Sequence, residues 1–380
     1  MDNVAVIGAG PAGLQTAIRI KEEGFNVSVY EEDLRIGVPE RCSGLISRTG
    51  VESLKLDLEN SIQNEIKGAR IFSPDGTELI VKRPSTVAYV VNRELFDRAL
   101  AKKATSNGIE IKTGNKLIDV RKNSLFLEAG GRGELKKAEF VVGADGVNST
   151  VRHLMGLKQE SKNFIHSVQA VCSGSFESSM VQIHTGSFAK GFFGWVVPID
   201  KTRAKVGLGC MLGENISENF KTFLSEKIRP TSVGKVNSAL IPYGPPLEGI
   251  VKDNMALVGD AAFQTKATSG GGVIFGMKSA NIFAESIARH IKDKAPISNY
   301  EKNLAGINRD LKMHWKARQY FNSQSDEQLN KLIGKLKAKG IEEFLQMEGD
   351  MDEPSKFVGK MALNPKYWFM AKTLIGIARS

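Results

Sequence analysis

Three glycines in the pattern Gly-x-Gly-x-x-Gly, Gly8, Gly10 and Gly13, follow the apolar run Val4-Ala5-Val6-Ile7, and the next apolar run, Val27-Ser28-Val29-Tyr30, closes on an acid, Glu31. Residues of these types in this order bind a dinucleotide. Gly8 permits the tight turn, Gly10 lets backbone approach a pyrophosphate, Gly13 lets the helix close on the strand, and Glu31 accepts a hydrogen bond from a ribose hydroxyl. Two more acids sit on glycine turns: Phe140-Val141-Val142 runs into Gly143-Ala144-Asp145-Gly146, and Met255-Ala256-Leu257-Val258 runs into Gly259-Asp260-Ala261-Ala262. Ligands of doubly wound sheets bind at such strand ends. Gly270-Gly271-Gly272 then leads into the helical pattern that begins Val273-Ile274-Phe275. Bare backbone there can lie close under a planar ring, with the positive end of the helix facing it. Lys266, just before, reads as a surface charge.

These motifs require strands to carry them, and the strands fall in an interrupted order. A nucleotide-binding unit in three pieces, residues 1–65, 88–163 and 250–295, is interleaved with an antiparallel-sheet unit, residues 66–87 and 164–249, and followed by a helical region, residues 296–380. The middle piece opens with the helix Asn92-Arg93-Glu94-Leu95-Phe96-Asp97. In the sheet unit, alternating runs at Ser167 to Phe176, Val181 to Thr185, Phe192 to Val197 and Ala204 to Gly209 predict strands whose inner face walls a cavity, with a hairpin turn at Asp200-Lys201-Thr202. From about residue 300 the chain reads as helices, ending in the aromatic cluster Tyr367-Trp368-Phe369.

With 380 residues, 41% of them hydrophobic, the chain can bury a large core across two or three domains. Its three cysteines, Cys42, Cys172 and Cys210, show no metal-ligand spacing, and no secretory leader precedes the first strand. A cytoplasmic protein without disulfides or metal is implied. No apolar stretch reaches the roughly 20 residues that span a bilayer. The net charge of +10 favours an anionic partner, and no nucleic-acid motif is present. The basic, aromatic tail reads as a peripheral contact with the inner face of the membrane.

The glycine fingerprint, the Asp-Gly turn and the late Gly-Asp-Ala-Ala together resemble the flavoprotein hydroxylases and reductases of the p-hydroxybenzoate hydroxylase fold. That resemblance implies an FAD-binding Rossmann fold joined to an antiparallel β-sheet substrate domain and a C-terminal helical region, with Asp260 on the ribityl chain. Three segments narrow it: Glu40-Arg41-Cys42-Ser43-Gly44-Leu45, Phe193-Gly194-Trp195-Val196-Val197-Pro198, and Lys266-Ala267-Thr268-Ser269-Gly270-Gly271-Gly272-Val273. These are similar to the geranylgeranyl reductase family, in particular its archaeal members acting on digeranylgeranylglycerophospholipids, over nearly all of residues 1–300. The resemblance implies FAD contacts at Ala12, Glu31, Cys42, Ser43, Gly44, Arg93, Asp260, Gly272 and Val273, and an adenine contact near Leu117. It also implies saturation of C=C bonds in isoprenoid chains. Phe193 and Val197 stand where the family's sheet motif has Tyr and Phe, so the cavity is expected to be differently lined. The cysteine segment is one residue shorter than the usual Cys-x-x-Gly.

Reducing an isolated alkene calls for a hydride, a proton and a wall that tolerates positive charge. Phe193, Trp195 and Pro198 are the expected substrate wall, the faces of Phe193 and Trp195 offering about 0.5–2 kcal/mol each to a developing carbocation. Cys42 is the candidate catalytic residue, as a proton relay; a small buried hydrophobe is the other reading of it. None of the five histidines has a dyad partner in the pattern. A single glycine fingerprint leaves no separate nicotinamide domain, so the donor is either NAD(P)H binding transiently or reduced ferredoxin on the basic surface. An aromatic monooxygenase, a flavin-dependent halogenase and a non-catalytic prenyl-lipid carrier remain alternatives. Intact Glu31 and Asp260 argue against the carrier.

Overall fold

The structure is a computed structural model that describes residues 2–356 other than residue 59, together with residue 360. The strand Asp2–Ile7 lies inside a parallel sheet. On one side it pairs with Arg132–Gly143, which pairs in turn with Met255–Leu257; on the other side lie Val27–Glu31 and then Glu110–Thr113. The chain therefore moves outward in both directions from its first strand, which opens a crevice at the carboxyl ends. The central strands are apolar on both faces, and both faces are covered: Val4, Val6, Val29, Val141 and Val142 are fully buried. The helices Pro11–Glu22 and Val273–Asp293 lie against each other, with Gly276 close to Ala12.

A second sheet runs in the spatial order Ser232–Val233, Phe164–Ser173, Arg203–Met211, Gly194–Pro198, Met180–His184, Gly68–Phe72 and Glu78–Lys82, with Asn237–Pro242 also paired to Phe164–Ser173. The four predicted strands of this unit are present, and the Asp200 turn joins two of them: one carboxylate oxygen accepts from the amides of Thr202 at 2.7 Å and Arg203 at 2.8 Å. The third strand begins at Gly194, so Phe192 and Phe193 form the approach to it. Alternation in Arg203–Met211 sends Ala204, Val206, Leu208 and Cys210 into a core with Phe220 and Phe223. Lys205, Gly207 and Gly209 therefore face the other way, toward the first sheet.

Helices follow at Asn299–Asn303, Ala305–Asn322, Asp326–Ala338 and Ile341–Glu348. The third starts with a capping box between Ser325 and Gln328. Among the described residues no helix is long and apolar enough to cross a membrane. The aromatic cluster Tyr367-Trp368-Phe369 lies outside the described residues.

Candidate flavin and substrate cavity

A cavity of about 770 Å³ separates the two sheets, within the range of about 300–1,000 Å³ typical of ligand sites. One end is built from the carboxyl ends of three adjacent parallel strands, which deliver Gly10, Asp145 and Asp260 to a common wall. Gly8 holds φ at +102°, and a Cβ on Gly13 would overlap the carbonyl oxygen of Gly8. Neither glycine lines the cavity. Together they shape the turn that leaves Gly10 on its surface, with open space where a Cβ would stand.

The helix after Gly10 and the helix after Gly272 both start without a side-chain cap, and both starts face this cavity. Two positive helix ends thus converge on one volume. The carboxylate of Glu31 accepts from the amides of Ala9 at 2.6 Å and Asp33 at 2.9 Å, and burial raises its pKa despite those bonds. Burial likewise raises Asp145, one of whose oxygens is enclosed without a protein partner. Asp260 accepts from Thr265 at 2.7 Å, and burial outweighs that bond and the fields of Arg93 and Arg152 to keep its carboxyl raised. A Cβ on Gly272 would stand 2.9 Å from Thr265 Oγ1 and collide with Asp260. Uncapped amides, an unpartnered buried acceptor and bare backbone suit a ligand bearing a diphosphate and many hydroxyls.

The loop Glu40–Gly44 separates that end from the second sheet. Cys42 and Ser43 line the cavity, and the Cys42 sulfur accepts from the Gly44 amide at 3.4 Å. Arg93 lines it too, forked onto Asp97 at 3.0 and 2.9 Å. Burial opposes its charge, but Asp97 and Cys42 beside it more than compensate and raise its pKa. The sheet grips this loop at three points: Lys205, 1% exposed, donates to Glu40 at 2.6 Å, Gln169 to the Cys42 carbonyl at 3.4 Å, and Asn237 to the Glu40 carbonyl at 3.4 Å. The indole N–H of Trp195 donates to Gln169 at 3.0 Å, so one amide side chain links the aromatic wall to the cysteine loop. Gln169, Lys205 and Asn237 are not singled out by the sequence, and Glu40 stands there only as part of a motif, without a role. The available signal was a lysine on the inward side of an alternating strand.

The far wall carries an apolar patch, Phe192, Phe193, Trp195, Leu240, Ile241 and Leu212, beside polar side chains that include His166, Gln182 and Ser238. Phe192 and Phe193 stack with centroids 4.2 Å apart, and Phe193 meets Trp195 edge to face at 6.0 Å. The indole lies on Gly207, where a Cβ would come within 2.7 Å of its nitrogen. Replacing Gly207 with alanine should therefore displace Trp195, leaving FAD content at the wild-type level and cutting turnover at least tenfold. Flavin absorbance and steady-state rates measured on one preparation would check this, and unchanged rates would refute the placement.

Of the residues singled out from sequence, the structure brings Gly10, Ala12, Glu31, Cys42, Ser43, Arg93, Phe193, Trp195, Asp260, Gly272 and Val273 onto this one cavity. Four others stand apart from it besides Gly8 and Gly13 in their shaping role. Gly44 is pressed against the Val91 carbonyl at φ +74°. Pro198 ends its strand, its carbonyl accepting from Asn64 at 2.8 Å. Leu117 is 3% exposed in the core of the first sheet, paired with Leu127, and does not reach the cavity. Lys266 is corrected outright: far from being a surface charge, it is 5% exposed and donates to Asp352 at 2.6 Å and to the Met351 carbonyl at 3.1 Å. The turn around Lys266 folds its side chain inward, a consequence of tertiary structure that local sequence does not encode.

Residues 1–233, more than half of the chain, match the family model described as FAD binding domain. The chain belongs to that family. The FAD-binding-domain assignment gives the diphosphate-and-hydroxyl end of the cavity its ligand. A digeranylgeranylglycerophospholipid reductase of Methanothrix thermoacetophila is 28% identical over 98% of this chain and 99% of its own length. Among solved structures, a geranylgeranyl bacteriochlorophyll reductase-like protein from Thermoplasma acidophilum superposes with a TM-score of 0.86 at 21% identity, covering 99% of each chain. A probable FAD-dependent monooxygenase from Pseudomonas aeruginosa gives 0.67 at 16% identity over 88% of this chain and 99% of its own. The fold is p-hydroxybenzoate hydroxylase-like: a Rossmann sheet, an antiparallel sheet and C-terminal helices.

Proposed function

We propose that this protein is an FAD-dependent oxidoreductase that saturates C=C bonds in the geranylgeranyl chains of isoprenoid lipids, archaeal-type phospholipid precursors in particular. The observation that carries this reading is the continuity of one cavity from the cofactor loops to an extended aromatic and aliphatic wall. The near full-length likeness to proteins named as reductases of such lipids supports it. Reduced FAD, when bound, supplies a hydride to one alkene carbon, and a proton must reach the other.

The chain's own residues divide the remaining work. Gly10, Ala12, Glu31, Ser43, Arg93, Asp260, Gly272 and Val273 hold the cofactor, while Gly8, Gly13 and Gly44 fix the loops that present it. Phe193 and Trp195 orient the alkene and keep water away. Cys42 holds or passes the proton at its sulfur, a role supported by Arg93 beside it and by Gly44 donating to it. The cofactor unit spans residues 1–65, 88–163 and 250–295, the substrate unit 66–87 and 164–249. NAD(P)H or reduced ferredoxin supplies the electrons, and the protein works on the cytoplasmic side, touching the membrane as a peripheral protein.

The test is mass spectrometry of digeranylgeranylglyceryl phospholipid after anaerobic incubation with the purified FAD-loaded protein and dithionite. Stepwise gain of hydrogen pairs is the expected result. Unchanged lipid with FAD bound, together with NADPH-dependent oxygen uptake on aromatic substrates, would replace this reading with the monooxygenase. Lipid binding by protein that takes up no FAD would replace it with the carrier.

A further inference from the structure

Behind the wall formed by Phe192, Phe193 and the loop 266–270 lies a cluster of charged groups with no assigned role. Lys266 and Asp352 form a buried ion pair and cancel. His314, between Thr268 at 2.6 Å and the Asp352 carbonyl at 3.3 Å, is pushed down to about 4 by burial and by Lys266, and is neutral at pH 7. Tyr243 is raised by burial and is also neutral there. Arg318 remains. It is 7% exposed, and it donates to the carbonyls of Ala267 at 3.1 Å, Phe192 at 3.4 Å and Thr268. Among the described residues no carboxylate is within ion-pair distance of it. Burial lowers its pKa to about 10, which leaves it charged at neutral pH. Its guanidinium carbon lies 5.1 Å from the centroid of Phe192 and 5.3 Å from that of Phe193.

An uncompensated cation behind two rings and a glycine loop is costly, since isolated buried charges are ordinarily paired. In low-dielectric surroundings its field reaches the cavity with little screening. We infer that Arg318 sets the electrostatics of the cofactor site, its unpaired charge favouring the more negative, reduced state of the bound flavin while its fork holds the carbonyls that shape the Gly270–Gly272 loop. It is a positioning residue, acting through Phe192, Phe193 and that loop. A second consequence concerns the wall. Phe193 already has a cation 5.3 Å from its ring centroid, so positive charge developing on the substrate finds its aromatic partner in Trp195 rather than in Phe193.

This inference rests on reading the cavity as the FAD site. Its test is the midpoint potential of bound FAD at pH 7, by anaerobic dye-equilibrated titration, in the wild type and two variants. Arg318→Gln removes the charge. Asn322→Asp leaves Arg318 and its bonds in place but adds a carboxylate one turn along the helix Ala305–Asn322, where Asn322 donates to Tyr243. Both variants should lower the potential, R318Q by about 30 mV or more, a tenfold change in a two-electron equilibrium constant, and N322D in the same direction by less. Unchanged potentials in both would overturn the inference. A fall in R318Q alone would assign the effect to loop shape and overturn the electrostatic account, and N322D decides by itself should R318Q fail to fold. Wild-type protein that takes up no FAD would overturn the site reading, a result distinct from an unchanged potential.

Discussion

Alanine at Gly13 is expected to strip the protein of FAD and destabilise it, whereas alanine at Gly10, three residues earlier, should remove the cofactor and leave the apoprotein as stable as wild type. The difference lies in what a methyl group meets. At Gly13 it would collide with the Gly8 carbonyl oxygen and stand 3.2 Å from Ala144 Cβ, forcing apart the first strand, its helix and the neighbouring Asp145 turn. Overpacking of that kind costs about 1–3 kcal/mol and sometimes more. At Gly10 nothing lies within 4 Å, because the methyl would project into the cavity where a diphosphate must approach backbone. FAD affinity should fall at least 100-fold in both. Apoprotein Tm should fall by several degrees in G13A and stay within about 1 °C of wild type in G10A. Equal Tm values for the two variants would show that the turn does not depend on the close approach.

The other large effect is expected at Asp352. Asparagine there leaves Lys266 as a buried cation without a counter-charge, and breaking a buried pair from one side costs about 3–5 kcal/mol. Because Lys266 also closes the turn that leads to the glycines, its carbonyl accepting from Gly270 at 2.7 Å and its amide donating to Gly271 at 3.2 Å, FAD should dissociate at least tenfold more readily. The pH dependence has a definite sign. Burial opposes the charge on Asp352, but Lys266, Ser47 and Lys278 more than compensate and hold its carboxyl below the ordinary range. A carboxyl depressed in the folded state stabilises fully above its unfolded value of about 3.9 and loses that contribution as pH falls through the folded one. The stability gap between wild type and D352N, from denaturant unfolding, should therefore be constant near neutrality and shrink only below about pH 4. Replacing both partners, Lys266→Met with Asp352→Leu, should recover most of the loss; a double variant no better than D352N would refute the pairing argument.

Much of the cofactor end was legible in the sequence because backbone chemistry dictates it. Gly8, Gly10 and Gly13 are glycines for reasons that act within a dozen residues, and Asp145 and Asp260 are marked by the strands that precede them. The aromatic wall was legible in part: Phe193 and Trp195 stand in a short motif, whereas Phe192 joins them only because the strand starts at Gly194. What could not be read were contacts between distant segments. Lys205 reaches Glu40 and Arg318 reaches the loop 266–270 across intervals that no periodicity encodes. Lys266 shows the limit most clearly, since a lysine among Thr, Ala and Ser carries no local sign that its partner is Asp352.

The pairing of Lys266 with Asp352 also fixes when this protein can be finished. Asp352 emerges from the ribosome 86 residues after Lys266, a delay of roughly 4–17 s at translation rates of about 5–20 residues per second. For most of that interval the residues of the fingerprint turn, the antiparallel sheet and the glycine loop have all been made, while the lysine beneath the loop still lacks its counter-ion. A chain cut short before Asp352 would hold the lysine beneath its glycine loop without that counter-ion, and with it a weaker grip on the turn that leads to the glycines.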